Sequence, residues 1–246
     1  VTGTVLILGG TADAVALARL LEACAPGRAL SSLAGRTSSP RLLPGRTRVG
    51  GFGGAGGLAD YLTIEAISAV VDATHPFAAR MSRNAVDACA RANVPLLALV
   101  RPAWAPLAGD RWSRVPDVAA AASRAAELGR RIFVTIGSRE LAPFAALGDR
   151  CRLVRAIEPP LEPLPPGVTL VLARGPFAEA DERALMQRYR IDVVVTKDSG
   201  GDATVAKLIA ARALGIRVVI VDRPVRPAVA TTATPQGAFA WLESLA

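Results

Sequence analysis

Short apolar runs recur along the chain at residues 4–8, 29–34, 68–73 and 95–100, and the stretches between them carry apolar residues at helical spacing. Ala14, Leu17, Ala18, Leu20 and Leu21 form one helical stripe; residues 60–67 suit a short helix and 78–92 a longer one. Ala69-Val70-Val71 and Leu96-Leu97-Ala98-Leu99-Val100 are apolar without alternation, as strands covered on both faces are. Strand and helix in turn predict a parallel sheet with helices on both sides. Residues 102–116 break the rhythm with prolines, Gly109, Asp110, Trp104 and Trp112, and mark a domain boundary or a cleft-forming loop. A second series follows: helix near 117–128, strand 131–136, helix near 139–147, strands 151–157 and 168–173, helix 179–190, strand 192–196, helix 203–214 and strand 217–221. The proline-rich stretch 157–167 reads as a rigid connector, and 236–245 as a last helix that can pack on either half. The expected architecture is two α/β halves, residues 1–105 and 106–246, with mostly parallel sheets and a ligand cleft between them.

With 246 residues and 51% hydrophobic content, the chain can bury a substantial core. No apolar run is long enough to span a bilayer, and the start lacks a basic stretch followed by an apolar leader, so a cytoplasmic protein without a membrane partner is expected. Cys24, Cys89, Cys151 and the single histidine show no metal-ligand spacing; no metal is expected, and the thiols are expected to be buried. The net charge of +8 would attract a polyanion. Its arginines are scattered without aromatic interleaving, which argues against nucleic acid. A small ligand with several carboxylates fits better, because guanidinium groups hold carboxylates with two bonds.

Two polar turns narrow the chemistry. The first strand runs into Gly9-Gly10-Thr11-Ala12-Asp13, where glycine allows close backbone approach and a helix start offers unpaired N–H groups to a phosphate. The second strand ends in Gly35-Arg36-Thr37-Ser38-Ser39, an arginine with hydroxyls where a reader of the free ribose 2'-OH would be acidic. Together they favour NADPH over NADH, although the first turn is not the full dinucleotide fingerprint. The glycine run at 50–57 lacks the lysine and hydroxyl of a P-loop. Asp72-Ala73-Thr74-His75-Pro76-Phe77 follows another strand: Thr74 can meet ribose or nicotinamide, Pro76 and Phe77 can wall the site, and His75 can donate a proton or simply order the turn. The second half ends strands in Gly137-Ser138-Arg139, Arg174-Gly175-Pro176-Phe177 and Thr196-Lys197-Asp198-Ser199-Gly200-Gly201, with Lys197 suited to a substrate carboxylate and Lys207 reading as helix-surface charge. No hydrolytic constellation is present, and hydride transfer asks less of side-chain acids because the cofactor carries the hard chemistry. Another NADPH reductase and a non-catalytic anion-binding protein both stay open. The Tyr-x-x-x-Lys arrangement of many carbonyl reductases is absent, since Tyr61 is followed at that spacing by Glu65 and Tyr189 by Val193.

Ile7-Leu8-Gly9-Gly10-Thr11, Asp72-Ala73-Thr74-His75-Pro76-Phe77-Ala78 and Thr196-Lys197-Asp198-Ser199-Gly200, with Gly175-Pro176-Phe177 and Asp222-Arg223-Pro224, resemble the characteristic segments of precorrin-6A reductases, the corrin-ring reductases of cobalamin (vitamin B12) biosynthesis. The resemblance covers nearly the whole chain; Asp13 departs from the glutamate expected in many relatives. It implies hydride transfer from NADPH to the C18–C19 region of precorrin-6A, giving precorrin-6B and NADP+, with the cobalt-containing equivalent as the alternative substrate. It also implies two Rossmann-like three-layer halves, strand exchange between them allowed, NADPH on the first and the polycarboxylated tetrapyrrole held by the second, and transient contact with neighbouring pathway enzymes. By that resemblance Gly9, Gly10, Thr11 and Arg36 serve the cofactor and Thr74, His75 and Lys197 lie on the macrocycle side; Ala12, Thr37 and Ser38 join the cofactor set by their place in the same turns, and Thr74 by its reach to ribose or nicotinamide. Macrocycle binding falls to Pro76, Phe77, Gly137, Ser138, Arg139, Gly175, Pro176, Phe177, Thr196, Lys197, Asp198, Ser199 and Gly200, and catalytic duty to His75 and Lys197.

Overall fold

The computed structural model describes residues 3–35 and 43–245. In chain order the first part holds β1 (Thr4–Leu8), α1 (Ala12–Cys24), β2 (Ala29–Leu33), β3 (Arg46–Val49), α2 (Ala55–Ile64), β4 (Ile67–Asp72), α3 (Ala79–Ala92) and β5 (Leu96–Leu99). There follow β6 (Trp112–Val115), α4 (Val118–Leu128), β7 (Ile132–Val134), α5 (Ala142–Ala145), β8 (Cys151–Ala156) and β9 (Thr169–Leu172). The remainder is α6 (Glu179–Arg188), β10 (Val193–Lys197), α7 (Ala206–Ala213), β11 (Arg217–Val221), β12 (Thr231–Thr232) and α8 (Pro235–Ser244). Among these residues no helix is long and apolar enough to cross a membrane.

The strands form two six-stranded sheets, β12-β5-β4-β1-β2-β3 and β6-β11-β10-β7-β8-β9, in which every described pairing is parallel. Each has the Rossmann order, in which the chain starts mid-sheet, winds to one edge and then crosses to the other. The sixth position is filled out of turn: β6 precedes the second sheet's other strands yet completes it, and β12, near the C-terminus, completes the first. The halves have exchanged their last strands. Two compact units result, one made of residues up to Pro102 together with those from Pro224 onward, the other of Ala103–Arg223.

Alternation along β1 shows how the first unit is layered. Val5 and Ile7 pack with Leu17 and Leu21 of α1 and Leu242 of α8 on one face; Leu6 and Leu8 pack with Leu58 and Leu62 of α2 and Ala85 and Cys89 of α3 on the other. In the second unit Phe133, Leu153, Val194, Val218 and Ile220 pack against Met186 of α6 and Leu208 of α7, while α4 covers β10 and β11.

Several elements differ from the sequence expectation. Helix α2 begins inside the glycine run, at Ala55, and Ile67 belongs to β4 rather than to a helix over 60–67. The helix expected over 139–147 is broken into a 3-10 turn, Ser138–Glu140, and the short α5, with Pro143 in its first turn. Strands β3, β6 and β12 were not expected; β6 lies inside the presumed boundary loop. Cys89 and Cys151 are buried as expected, but Cys24, at the end of α1, is exposed.

Candidate functional site

In the first unit the turn after β1 sits beside the turn after β4, because Leu8 pairs with Asp72. Thr11 joins them. Its hydroxyl accepts the Ala14 amide at 3.1 Å, capping α1, and donates to the Ala73 carbonyl at 2.8 Å. With its one proton given to Ala73, the Thr11 hydroxyl offers an anion no donor. The backbone can: no described residue accepts from the amides of Gly10, Thr11, Ala12 or Asp13, the first groups of a helix whose dipole favours negative charge. Gly10 has φ +112°, a conformation that favours glycine, and a Cβ there would point into open space. Gly9 instead gives its amide to Ser32 at 2.9 Å and ties the turn to β2. Such a turn has what a pyrophosphate requires. Asp13 adds an unfavourable carboxylate, which Arg101 at the end of β5 offsets at 3.1 Å.

The turn after β4 is held from beneath. Asp72 is buried; its Oδ1 accepts the Thr74 amide at 3.1 Å and the Thr74 hydroxyl at 2.6 Å, and its Oδ2 pairs with Arg226 at 2.5 Å. Thr74 can therefore offer a ligand only its oxygen lone pair. His75 accepts the Phe77 amide at Nδ1, 3.3 Å away, so in its neutral form the ring carries its proton on Nε2. The same bond orders the entry to α3, whose first turn begins with the Ala78 amide on the His75 carbonyl. At the end of β3, Arg48 bonds Ser32, Gly50 and Gly51 and lies 3.8 Å from the Phe52 ring centroid, pinning the glycine run. Arg36, Thr37 and Ser38 lie outside the described residues.

In the second unit the polar turns gather at the C-terminal ends of the strands, where open parallel sheets place their ligands. Lys197, at the end of β10, pairs with Glu140 from the Ser138–Glu140 turn that follows β7. Arg139 and Arg174 are exposed at the same edge. Asp198 and Thr196, expected to touch substrate, are buried instead. The Asp198 carboxylate is filled by protein donors, the Trp104 amide at 3.1 Å and Arg114 at 2.7 Å, and its carbonyl accepts Arg223 Nε at 2.9 Å. These bonds fix the turn. Arg114 also holds Asp222 at 2.6 Å, and these two carboxylates raise its already high pKa, most strongly through the Asp198 bond.

Gly175 approaches the next turn so closely that a Cβ would come within 2.7 Å of the Ala203 carbonyl. Phe177 lies 3.7 Å under the guanidinium of Arg155, which is buried at the end of β8 and paired with Glu182 of α6. Lys207, expected on a helix surface, is buried as well. Glu140, Arg155, Glu182 and Lys207 carried no local sequence signal, since each gains its meaning from a partner far along the chain. Among the described residues no group of His, Cys, Asp and Glu side chains could hold a metal ion.

Doubly wound parallel sheets and a glycine turn between the first strand and the first helix define a Rossmann-like α/β protein, with a polar strand-end edge carrying Arg139, Arg174 and Lys197 in its second unit. The family model described as Precorrin-6x reductase CbiJ/CobK matches residues 4–243, and the chain belongs to that family. A precorrin-6A reductase of Rhodococcus erythropolis is 54% identical over 98% of both chains. A solved structure titled CobK precorrin-6A reductase superposes with a TM-score of 0.93 at 47% identity, covering 99% of this chain and 97% of the other. A cobalt-precorrin-6A reductase of Salmonella typhimurium is 32% identical over 90% of this chain and 88% of its own.

Proposed function

We propose that the chain is an oxidoreductase that reduces precorrin-6A to precorrin-6B with NADPH, acting on the metal-free substrate. The observation that carries this reading is the 54% identity over 98% of both chains with a relative named for that substrate, against 32% with the relative named for the cobalt form.

Bound NADPH supplies the hydride. The chain's residues supply position, which accounts for much of such a reaction's acceleration. The amides at Gly10, Thr11, Ala12 and Asp13 hold the pyrophosphate, and Gly9 lets the turn close on β2. Arg36, Thr37 and Ser38 follow β2 directly in sequence and read the 2'-phosphate. Thr74, its proton given to Asp72, accepts a hydrogen bond from the nicotinamide amide. Pro76 and Phe77 form the apolar wall beside it, and His75, which orders this turn, is the candidate donor of the proton that completes the reduction.

The second unit meets the substrate's peripheral acids. Lys197 exchanges Glu140 for a substrate carboxylate, and Arg139 adds a second cation from the neighbouring turn. Gly137, Ser138, Ser199 and Gly200 give backbone and hydroxyl donors, and Gly175, Pro176 and Phe177 shape the adjoining surface.

Anaerobic incubation with NADPH and, separately, metal-free and cobalt-containing precorrin-6A tests both halves of this reading, followed by absorbance and product mass. We expect NADPH consumption and a product heavier by two hydrogens with the metal-free compound. Preference for the cobalt form would overturn the substrate assignment, and binding without NADPH oxidation would favour an anion-binding protein.

A further inference from the structure

Lys207 lies on the first turn of α7, yet its side chain is almost wholly enclosed, the residue being 3% exposed. Its Nζ donates to the Thr204 carbonyl at 2.7 Å and sits 5.0 Å from the Trp104 ring centroid. Burial, and secondarily the charge of Arg155, push its amine down from 10.5 to about 7, with Glu182 opposing. Glu182 bonds Arg155 through Oε1, while its Oε2 is buried without a hydrogen-bond partner. The charged groups acting on the amine thus come from β8 and α6. Helix α7 also packs on β11, which brings Val218 and Ile220 to the shared core, and on the Asp202–Thr204 turn, which carries Asp202.

This buried cluster underlies two of the segments assigned to the macrocycle. Thr204, whose carbonyl Lys207 holds, shares a 3.2 Å hydroxyl contact with Ser199. Trp104, which roofs the amine, donates Nε1 to the Gly201 carbonyl at 3.3 Å and its amide to Asp198. On the other side Arg155 carries the Phe177 ring, and the Gly175 turn rests against Ala203. A lysine buried at this cost, with a carboxylate oxygen left unpartnered beside it, is an expensive way to build a mere helix surface.

We propose that Lys207 is a positioning residue for the macrocycle-binding turns at 175–177 and 198–204, and that docking of a polycarboxylate substrate draws a proton onto its amine. The inference rests on the function proposed above. Carboxylates brought to those turns favour the ammonium over the neutral amine by simple attraction. By linkage, an affinity gained with proton uptake is greatest below the free amine's midpoint near 7 and declines as pH rises through and above it. The neutral amine still bonds Thr204, so the turn keeps its shape and loses only the charge.

The test is anaerobic calorimetric titration of the intact chain with precorrin-6A, without NADPH, in buffers of different ionisation enthalpy. The wild-type chain should take up about half a proton per macrocycle at pH 7.5. Lys207→Arg, permanently charged, should take up measurably less, and its KM should stay flat from pH 6.5 to 8.5 where the wild-type KM rises. Lys207→Met should raise KM about tenfold and lower kcat by a smaller factor. Should the methionine variant not fold, the arginine variant and the wild-type proton count decide. Equal uptake by wild type and Lys207→Arg would overturn the inference alone; a wild-type chain that does not bind precorrin-6A would overturn the functional reading and the inference together.

Discussion

Replacing Asp72 with asparagine keeps the shape of the turn after β4 but removes the charge facing Arg226. The two side chains are 3% and 15% exposed, so the guanidinium left behind is only partly able to recruit water, and its Nη1 is already buried without a partner. Breaking a fully buried pair from one side costs about 3–5 kcal/mol; the modest exposure of Arg226 argues for a smaller loss, about 2–3 kcal/mol. A cycle of Asp72→Asn, Arg226→Met and the double variant in urea unfolding should then show a coupling of about 2 kcal/mol. The loss should also be local. Arg226 lies on the segment leading to β12, which is held to β5 by the Ala98 amide on Ala230 and the Val100 amide on Thr232. Deuterium exchange at those two amides should accelerate by roughly thirtyfold in Asp72→Asn, the equivalent of about 2 kcal/mol. Additive single variants, with exchange at Ala98 and Val100 unchanged, would refute the view that this pair anchors the exchanged strand.

If Arg36 reads the 2'-phosphate, Arg36→Ala should weaken NADPH binding by about tenfold or more and leave NADH nearly unaffected, measured by fluorescence titration of each cofactor; equal losses would remove the assignment. Burial pushes the Cys89 thiol up to about 12 and the Cys151 thiol up to about 11, whereas Cys24 is exposed. Since the thiolate is the reactive form, alkylation of the native chain at pH 8 should modify Cys24 at least about a hundredfold faster than the other two, counted by mass spectrometry.

The strands legible in the sequence were those covered on both faces. Val193-Val194-Val195 and Val218-Val219-Ile220-Val221 read as sheet interior because they are apolar without alternation, as strands covered on both faces are. Arg46-Thr47-Arg48-Val49, Trp112-Ser113-Arg114-Val115 and Thr231-Thr232 did not, since each lies at a sheet edge, where polar and exposed side chains are normal. The glycine turn and the Asp72 segment could be found because their chemistry is local. Their supports could not: Arg226 lies 154 residues from Asp72, and Glu140 lies 57 residues from Lys197. Lys207 shows the limit most clearly, for in the sequence it reads as helix-surface charge, while Trp104 from a distant segment closes over it and Arg155 acts on its charge.

Exchange of the sixth strands affects how the protein can be made. While the chain emerges from the ribosome, the first sheet has five of its strands early but must wait for Thr231 and Thr232, far later in the chain than β5, to cover that strand. At about 5–20 residues per second that delay is on the order of ten seconds, during which β5 presents a bare edge to other nascent chains. Cutting the gene at the boundary between the halves would make the exposure permanent: a fragment ending near residue 105 lacks β12, however well the rest of it folds.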